Sequence, residues 1–407
     1  MKNILKTIIY KSILLISKIF AVFRSKNTKR ALILAPSWEG SIGDEAVIDS
    51  ISFQLKKQGY TTTLIHFAEK REWDYLKSID NWYSISKYFK GGIWSEHLRF
   101  ISLFSKSSHF YTLGTDMMDG CYADWLTNGI IKITDHAAHA GLKTTIVGFS
   151  INKWQRKDVI KNLGAINSKV RYCLRDDVSR QRFSELLPHI TSELTADMAF
   201  VLEPTIIGEQ IKAAKEWVIN KKDSAKTVVG VNINPQLFND EQKTNEFIGV
   251  FTNAIKDIYA KYPQLAFVLI PHDFRETNSD IILLEKLKSN MDAFCKEDVF
   301  LISKQFLASD MKGLVSNIDV VVTARMHLSI ACLGQGTPIG CIVYQGKFEG
   351  LFNHFGLSED YMIEPTDAMD LKTLTTFIDM IISERATIKK QVVKALPEVK
   401  RKSLLNI

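Results

Sequence analysis

The sequence has few cysteines and no arrangement of them that would hold a metal or build a disulfide framework. It contains 5 cysteines among 407 residues, none of them spaced as CxxC, and four lie in or beside apolar runs. Such cysteines indicate buried, reduced thiols in a cytoplasmic protein. His136 and His139 stand close together in DHAAHAG, but no HExxH motif and no third ligand accompanies them. We therefore predict no metal site.

Most of the chain also lacks net charge. The formal charge is +7, but residues 1–30 carry eight lysines and arginines and no acid, so the other residues together amount to −1. A surface that binds nucleic acid needs an excess of lysine and arginine on the folded body. We therefore predict no nucleic-acid partner, and the positive charge is a property of the N-terminal segment.

The N-terminal segment, MKNILKTIIYKSILLISKIFAVFRSK, lacks the uninterrupted apolar run of a membrane span. Lys11 would lie near the centre of a spanning helix, at a cost of about 2.5–3.5 kcal/mol. A helix in the membrane plane avoids this cost, because its apolar residues share one face and its lysines reach the headgroups. Packing on the protein's own body is the alternative, and a span or a secretory signal fits least well. We expect a cytoplasmic protein, peripheral at the inner face of the cell membrane, with the basic cluster Arg24 to Arg30 near anionic lipid.

Beyond residue 30, short apolar runs alternate with amphipathic stretches. Runs such as RALILAP, TTIVGFSI, TVVGVNINP and IDVVVTA are continuously apolar, which indicates strands buried on both faces. The helical patterns between them predict parallel sheets. A chain of 407 residues is too long for one ordinary core. We therefore predict an α/β fold with two Rossmann-like domains, whose parallel sheets face a central cleft, plus the N-terminal amphipathic helix.

The predicted organisation has five parts. They are the basic amphipathic helix 1–29, an N-terminal Rossmann-like domain 30–202, a polar connecting segment 203–226, a C-terminal Rossmann-like domain 227–385 and a basic tail 386–407. Ligands of such sheets bind beyond the carboxyl ends of the strands. Polar residues that directly follow an apolar run are therefore the candidates for a site.

The first candidate is APSWEGSIGDEAV, where a predicted strand runs through a glycine-bearing loop into a helix. Gly40 and Gly43 allow a close approach of the backbone, and a helix N-terminus favours an anion or a hydroxyl. The loop lacks both the GxGxxG spacing and the lysine of a P-loop. Asp44 either caps its helix or orients and deprotonates an acceptor hydroxyl.

Two further strand ends lie in the same half. YTLGTDMMDG carries Gly114, Asp116 and Asp119 in a turn, which alone is a weak indication because aspartates are common in turns. In CLRDDVSRQRF, Arg175 ends an apolar run. It forms either an ion pair with the neighbouring aspartates or a clamp for an anion, for which the guanidinium fork is suited.

The last candidates follow strands of the second half. Arg325 and His327 come directly after DVVVTA, at a predicted strand-to-helix corner, where a fixed cation and an imidazole together indicate an anion site. Lys347 follows the next strand and is either a second anion contact or a surface residue. His272, after VLIP, is another strand-end histidine that can line the cleft.

Taken in order, these segments resemble the polysaccharide pyruvyl transferase family. The resemblance covers about residues 31–358 and lies in GSIGDEAVIDSISFQLKKQG, YTLGTD, YCLRDDVSRQRF, TADMAFVL, LIPHDF and SNIDVVVTARMHLSIACLGQGTPIGCIVYQGKFEGLFNHFGL. The R-x-H of the last block, with the G-x-P and Y-x-x-K that follow, is the most specific part. Two turns depart from the family pattern: its glycine triplet reads LGTD here, and its glycine-rich turn after TTIVGFS reads INKW.

The resemblance implies a glycosyltransferase-B-like fold with the acceptor side in 30–202 and the donor side in 227–385. It also implies transfer of the carbon skeleton of phosphoenolpyruvate onto two hydroxyls of a sugar, which gives a pyruvate ketal and phosphate. The acceptor would belong to a surface polysaccharide or a lipid-linked glycan precursor. Phosphoenolpyruvate is then a donor substrate, and no cofactor is expected.

Within the family, the positions matching Arg175, Arg325 and His327 are associated with phosphoenolpyruvate, and Lys347 is a further candidate for its negative charge. Ketal formation needs a proton on the methylene carbon, which a histidine with a pKa near neutrality can supply. A helix N-terminus and Arg325 disfavour a charged His327, whereas a bound phosphate and carboxylate favour it. We therefore expect substrate binding to protonate His327, which then acts as the acid.

The attacking hydroxyl needs a base, for which Asp44 and Asp116 are the candidates. Gly43, Asp44 and Gly114 form the predicted acceptor side. A nucleotide-sugar-dependent glycosyltransferase on the same fold is the alternative function, although no acidic residue for a ribose stands out in the second half. A membrane-tethered scaffold without activity is a third reading, which the altered glycine turns leave open.

Overall fold

The computed structural model describes residues 2–22, 28–238, 240–275, 279–344 and 346–407, with backbone alone for residues 2–7. Among these residues the chain forms two β-sheets. The strands are β1 Arg30–Leu34, β2 Thr61–His66, β3 Asn81–Ser84, β4 His109–Leu113, β5 Lys143–Phe149, β6 Arg171–Leu174, β7 Glu193–Leu194, β8 Thr227–Val231, β9 Leu265–Leu269, β10 Val299–Leu301, β11 Val320–Thr323, β12 Ile339–Ile342 and β13 Met362–Ile363.

Helices connect most of the strands, as the alternating pattern of the sequence predicts. They are α1 Lys2–Val22, α2 Ile42–Lys57, α3 Ile93–Ser105, α4 Asp124–His139, α5 Lys157–Gly164, α6 Asp177–Leu186, α7 Glu209–Asp223, α8 Glu241–Lys261, α9 Ile281–Cys295, α10 Ala308–Val315, α11 Met326–Leu333, α12 Phe348–Phe355, α13 Leu371–Ser383 and α14 Arg385–Leu404. The structure thus confirms the predicted α/β class.

The chain divides into two compact units. Unit 1 contains Met1–Glu39, Val47–Met198 and Lys402–Ile407, and unit 2 contains Gly40–Ala46 and Ala199–Arg401. The strand order is β3-β2-β1-β4-β5-β6-β7 in unit 1 and β10-β9-β8-β11-β12-β13 in unit 2, and every pairing within the two sheets is parallel. Both sheets therefore have the Rossmann order, in which chain direction along the sheet reverses beside the first strand. That switch point lies between β1 and β4 in unit 1 and between β8 and β11 in unit 2.

The central strands are buried on both faces, which explains their continuous apolar sequences. Leu32, Ile33, Val320 and Val321 have no exposed surface, and neighbouring strand residues are similarly enclosed. Burial of such side chains is the main favourable contribution to folding. Because helices cover both faces, polar residues can collect only where the strands end.

Helix α1 packs on unit 1 through one face. Ile13, Leu14 and Ser17 are buried, and Tyr10 donates a hydrogen bond to Asp135 Oδ2 on α4 at 2.9 Å. Ser17 Oγ lies 2.6 Å from Nε2 of His136, also on α4. Packing on the protein's own body, the alternative to membrane contact, therefore occurs. None of the helices in the described part of the chain combines the length and apolar character that a membrane span requires.

A second apolar face of α1 points away from this contact. It consists of exposed residues, namely Ile8, Ile9, Leu15, Ile16, Ile19, Phe20 and Val22. Lys11 and Lys18 are exposed as well. Of the predicted basic cluster Arg24 to Arg30, Arg24 and Lys26 lie outside the described residues. Lys29 donates a hydrogen bond to Gln58 O at 3.1 Å, and Arg30 begins β1.

The predicted connecting segment, which the sequence indicated to be helical, and the predicted C-terminal tail both contain a helix. The connecting segment 203–226 contains α7, whose residues Ile211, Ala214 and Val218 are buried within unit 2. The predicted C-terminal tail is not a tail but α14 and a final turn. Its end is fixed in unit 1 because Asn406 Oδ1 accepts a hydrogen bond from Gly148 N at 2.9 Å and its amide donates to Ala196 O.

Candidate active site

Polar residues collect at the carboxyl ends of the strands in unit 2. Asn232 follows β8, His272 and Asp273 follow β9, and Arg325 and His327 follow β11. β8 and β11 are the neighbours that flank the switch point of this sheet, which is the usual place for a ligand in such folds. The predicted pair of arginine and histidine therefore lies where chemistry is expected.

Arg325 is buried and ion-paired. Its Nε and Nη2 lie 3.1 and 2.6 Å from Asp280 Oδ1, and its Nη1 lies 3.5 Å from Asp273 Oδ2. Only 7% of its surface is exposed. Asp273 also binds Arg275 through two hydrogen bonds, one to Nε at 3.0 Å and one to Nη2 at 2.5 Å. The guanidinium of Arg325 is thus fixed in orientation by carboxylates of unit 2.

Asp280 organises the strand ends around it. Besides Arg325, it accepts hydrogen bonds from the backbone N–H of His272 and from Asn232 Nδ2, each at 2.9 Å. Burial raises the pKa of Asp280, and the Arg325 guanidinium opposes that effect. One carboxylate without exposed surface therefore connects the ends of β8, β9 and β11.

The formal charges of this cluster do not give a net positive site. Arg275 and Arg325 contribute two positive charges, Asp273 and Asp280 contribute two negative charges, and Asp44 adds a further carboxylate near Arg275. An anionic ligand would draw its net countercharge from additional groups, such as Lys347.

His327 packs against the first turn of α2, at Gly43. A Cβ on Gly43 would lie 2.7 Å from Cβ of His327 and closer still to its ring atoms Cγ and Nδ1. Glycine is therefore required at this position by the imidazole and not by the backbone conformation of the helix. Two segments that are distant in sequence, GSIGDE and TARMH, form one contact within unit 2.

The start of α2 is held to unit 2 by hydrogen bonds. Ser41 pairs with Asp273 in an isolated β-bridge, and Ile42 N–H donates to His272 O at 3.3 Å. Ser41 Oγ accepts a hydrogen bond from Asp44 N–H at 3.3 Å. The interpretation of Asp44 as the helix cap is therefore wrong, because Ser41 fills that role and Asp44 lies in the first turn.

His272 lies beside His327 with its ring nearly parallel. The two ring centroids are 6.4 Å apart, and the interplanar angle is 10°. Neither ring nitrogen of His272 has a hydrogen-bond partner among the described residues, although the side chain is buried. Burial lowers the pKa of His272 well below its usual value, and the neighbouring His327 and Arg325 act in the same direction. His272 is therefore a neutral imidazole beside the predicted acid.

A small cavity of about 10 Å³ adjoins both histidines. Apolar residues and Lys312 complete its lining, and Lys312 Nζ donates to the carbonyls of Ala199, Phe200 and Leu202. Ligand pockets usually enclose some hundreds of Å³, so this cavity is too small for a sugar or for phosphoenolpyruvate. Lys312 thus holds the turn Met198–Val201 and the residue that follows it.

Lys347 is not a surface residue. It precedes α12, only 4% of its surface is exposed, and it follows β12, the neighbour of β11 in the sheet. This position keeps the predicted role as a second anion contact open. Four predicted residues, Gly43, Arg325, His327 and Lys347, are thus brought to the strand ends of unit 2.

Arg175 lies in unit 1, at the end of β6. Its Nη2 donates to Ser150 Oγ at 2.8 Å, and its Nη1 lies 3.4 Å from Asp197 Oδ2. Arg175 thus pairs with Asp197, and the predicted ion pair with Asp176 or Asp177 stays a prediction. Asp176 caps α6, because it accepts a hydrogen bond from Ser179 N–H at 2.6 Å.

The turn after β4 holds the other predicted residues of unit 1. Gly114 is a packing position, since a Cβ there would lie 2.5 Å from Cβ of Phe149. Asp116 is half-buried and accepts a hydrogen bond from Tyr122 Oη at 3.1 Å, so it keeps access to solvent. Asp119 is fully buried and accepts from the backbone of Cys121 and Asn152. Among the described residues no group of three or more potential ligands could hold a metal ion.

Sequence reasoning missed the carboxylates that hold Arg325. Asp273 stands in the quoted segment LIPHDF, but nothing local indicates its ion pairs. Asp280 precedes α9 and resembles an ordinary helix cap, yet it makes no capping hydrogen bond. Their role became visible only through contacts between distant segments.

Comparison with known proteins finds a matching family. The sequence profile of the polysaccharide pyruvyl transferase family matches residues 42–346, which is well over half of the chain. No curated protein sequence matches significantly.

Solved structures show the same fold at low sequence identity. The UDP-GlcNAc 2-epimerase from Neisseria meningitidis, bound to UDP-GlcNAc, superposes with a TM-score of 0.60 at 12% identity, over 92% of this chain and 98% of that chain. A glycosyltransferase from Rickettsia africae superposes with a TM-score of 0.53 at 12% identity, over 93% of this chain and 97% of that chain. These similarities show a glycosyltransferase-B-like fold and nothing about the ligands of this chain.

Proposed function

Because the chain belongs to the polysaccharide pyruvyl transferase family, we propose that it transfers the carbon skeleton of phosphoenolpyruvate onto two hydroxyls of a sugar. The acceptor is a surface polysaccharide or its lipid-linked precursor, and the products are a cyclic pyruvate ketal and phosphate. The observation that carries this proposal is the fixed Arg325 beside His327, whose ring packs on Gly43 at the start of α2.

Phosphoenolpyruvate carries a carboxylate and a phosphate, which suit a guanidinium fork and a lysine. We propose that Arg325, His327 and Lys347 bind it at the strand ends of unit 2. We propose that binding of this anion beside His327 favours a proton on the imidazole. Arg175, in unit 1, stays a predicted ligand of phosphoenolpyruvate on the strength of the family resemblance.

The two sugar hydroxyls then react in turn at C2 of phosphoenolpyruvate. His327 gives its proton to the methylene carbon, which becomes the methyl group, and C2 becomes electrophilic. One sugar hydroxyl attacks C2 and loses its proton to a base, for which Asp44 is the candidate of unit 2 and Asp116 that of unit 1. The second hydroxyl attacks the same carbon and gives its proton to the now neutral His327, phosphate leaves with the bonding electron pair, and the ketal ring closes.

Calorimetric titration separates this proposal from the alternative of a nucleotide-sugar-dependent glycosyltransferase. We expect binding of phosphoenolpyruvate and none of UDP-glucose, UDP-GlcNAc or GDP-mannose. Binding of a nucleotide sugar alone would favour the glycosyltransferase, and binding of none of these donors would favour a scaffold.

The acid role of His327 has its own test. With a lipid-linked glycan extract as acceptor, His327→Gln should slow phosphate release by about 10²–10⁴-fold. His189→Gln, at an exposed histidine, is the matched control and should not slow it. Near-full turnover of His327→Gln at saturating phosphoenolpyruvate would exclude the acid role. Proton uptake on binding, measured from enthalpies in buffers of different ionisation enthalpy, should occur in the native protein and disappear in His327→Gln.

We also propose that α1 holds the protein at the cytoplasmic face of the membrane. Leu15, Ile19 and Val22 are each more than half exposed, and Lys11 and Lys18 are exposed on the same helix. Exposed apolar residues beside lysines are typical of helices that lie in an anionic membrane surface. A lipid-linked acceptor would be presented at that surface.

Co-sedimentation with vesicles of phosphatidylcholine and phosphatidylglycerol tests the membrane contact. The native protein should sediment with the vesicles, and Leu15→Asp with Ile19→Asp should abolish this without changing the unfolding temperature. Val393→Asp, at an exposed valine of α14, is the control. Equal sedimentation of the double variant and the control would contradict the proposal.

A further inference from the structure

Four aromatic side chains follow four adjacent strands of unit 1. Trp38 lies in the loop after β1, Phe67 directly follows β2, Phe89 lies in the turn Tyr88–Gly92 after β3, and Trp125 lies in the first turn of α4, after β4. These strands are neighbours in the order β3-β2-β1-β4, and they run parallel. Their carboxyl ends therefore meet at one edge, which includes the switch point of this sheet.

The four rings form a closed cluster. Trp38 lies 5.4 Å from Phe67 and 6.1 Å from Trp125, between ring centroids. Phe89 lies 5.6 Å from Phe67 and 5.0 Å from Trp125, with an interplanar angle of 83° to the indole. The rings thus support one another in the tilted and edge-to-face geometries that aromatic pairs prefer. We refer to these four residues as the aromatic cluster.

Neighbouring residues of unit 1 hold the aromatic cluster in position. Gly129 on α4 leaves room for Phe89, because a Cβ there would lie 2.6 Å from Cζ of that ring. Glu72 accepts hydrogen bonds from the backbone of Glu39 at 2.9 Å and of Ala68 at 3.3 Å, so it joins the loops that carry Trp38 and Phe67. Such supports fix the ring positions before any ligand arrives, which lowers the entropy cost of binding.

The cluster nevertheless leaves large aromatic faces in contact with water. Trp125 is 53% exposed and Trp38 is 37% exposed, whereas Phe67 is buried. The two indoles therefore form the outer surface and the phenyl rings form the base. Aromatic side chains that belong only to a core would be covered by other residues. These two indoles are held in position but stay exposed at the strand ends, where ligands of such sheets usually bind.

Two ion pairs lie beside the cluster. Asp124, next to Trp125, binds Arg156 at 3.0 Å, and Lys90, next to Phe89, binds Glu69 at 3.1 Å. An uncharged ligand with many hydroxyls suits this edge, because carboxylates such as Asp124 can accept hydrogen bonds.

We propose that the aromatic cluster is the subsite that binds the pyranose ring of the acceptor glycan. The C–H hydrogens on one face of a pyranose carry partial positive charge and pack on the negative face of an indole. The hydroxyls on the ring edge then reach carboxylates such as Asp124. This inference rests on the proposed function, and it specifies an uncharged hexopyranose unit as the part of the acceptor that is recognised.

Titrations with uncharged methyl hexopyranosides test the subsite. The probes are methyl glucoside, galactoside, mannoside and N-acetylglucosaminide, and binding is followed by saturation-transfer NMR and indole fluorescence. At least one probe should bind the native protein, and Trp125→Ala or Trp38→Ala should weaken it roughly three- to tenfold. Trp125→Phe should restore part of the affinity. Trp217→Ala, on α7 of unit 2, is the control and should have no effect.

The outcomes separate this subsite from the proposed function. If phosphoenolpyruvate binds but no pyranoside does, or if Trp125→Ala leaves the affinity unchanged, the subsite is wrong and the donor assignment stands. If a pyranoside binds through the indoles while phosphoenolpyruvate does not, the donor assignment is wrong and the carbohydrate site stands. Loss of vesicle binding in Trp125→Ala, without loss of pyranoside binding, would identify the cluster as a membrane contact and overturn the proposal.

Discussion

Replacing Gly43 by alanine should disturb the geometry of the site while changing the stability of the fold only modestly. The added Cβ would lie 2.7 Å from Cβ of His327, whereas ordinary van der Waals contact begins at 3.4 Å. The ring atoms Cγ and Nδ1 would be closer still. Rotation of the imidazole leaves its Cβ in place, so the backbone that carries His327 or α2 must shift by about 1 Å, because the protein interior is packed too densely to absorb the overlap.

Two opposing effects set the expected magnitudes. Alanine in place of glycine favours a helix by up to about 1 kcal/mol, and the overlap with His327 costs about 1–3 kcal/mol through overpacking. The free energy of unfolding should therefore fall by no more than about 2 kcal/mol. A misplacement of about 1 Å at a reacting group lowers a rate by about 10²-fold. We expect Gly43→Ala to fold normally and to lose about two orders of magnitude in phosphate release.

Gly249→Ala is the matched control for this experiment. Gly249 lies within α8, is exposed, and would place its Cβ in open space. It should raise the free energy of unfolding in urea by up to about 1 kcal/mol without changing phosphate release. If Gly43→Ala released phosphate at the native rate, the contact between α2 and His327 would have no part in the reaction. If it unfolded like a core mutant, the loss of activity could not be assigned to His327.

Three further predictions concern stability. Burial lowers the pKa of His97 to about 3 and that of His136 to about 2, so both rings are neutral when folded but take up protons below about pH 6.5 when unfolded. The free energy of unfolding in urea should therefore fall as pH drops below about 6.5, by about 1.4 kcal/mol per pH unit for each ring, and His136→Gln should reduce that slope. Asp280→Asn leaves a buried guanidinium poorly compensated and should cost about 3–5 kcal/mol in the same assay, whereas Asp379→Asn, at a surface ion pair, should change little. Gly114→Ala overfills the packing at the end of β4 and should lower the free energy of unfolding by about 1–3 kcal/mol.

The strands that sequence patterns predicted are those buried on both faces. β1, β8 and β11 consist almost wholly of apolar residues, because covered sheets leave no polar face to interrupt the run. β3, with the sequence NWYS, was not predicted. It is an edge strand with half-exposed residues, and its conformation depends on pairing with β2 more than on its own composition.

The candidate site was predictable to the extent that topology positions it. Residues that follow parallel strands must gather at one edge, and this rule alone placed Arg325 and His327 at the strand ends of unit 2. It could not reveal that Asp280 fixes Arg325, since the two are 45 positions apart in the chain. Ion pairs of this kind depend on side-chain directions that periodicity does not encode.

The glycine loop GSIGDE also takes part in a contact between distant segments that the sequence did not reveal. Read alone, GSIGDE suggested a turn that brings backbone close to a ligand, because glycine usually serves that purpose. Gly40 fits that idea in part, with φ of +119°, but Gly43 is helical and makes room for the ring of His327. The sequence therefore contained two motifs that are the two sides of one contact. A substitution on either side should be read through its effect on the other, and loss of activity at the loop is not by itself evidence that the loop touches a substrate.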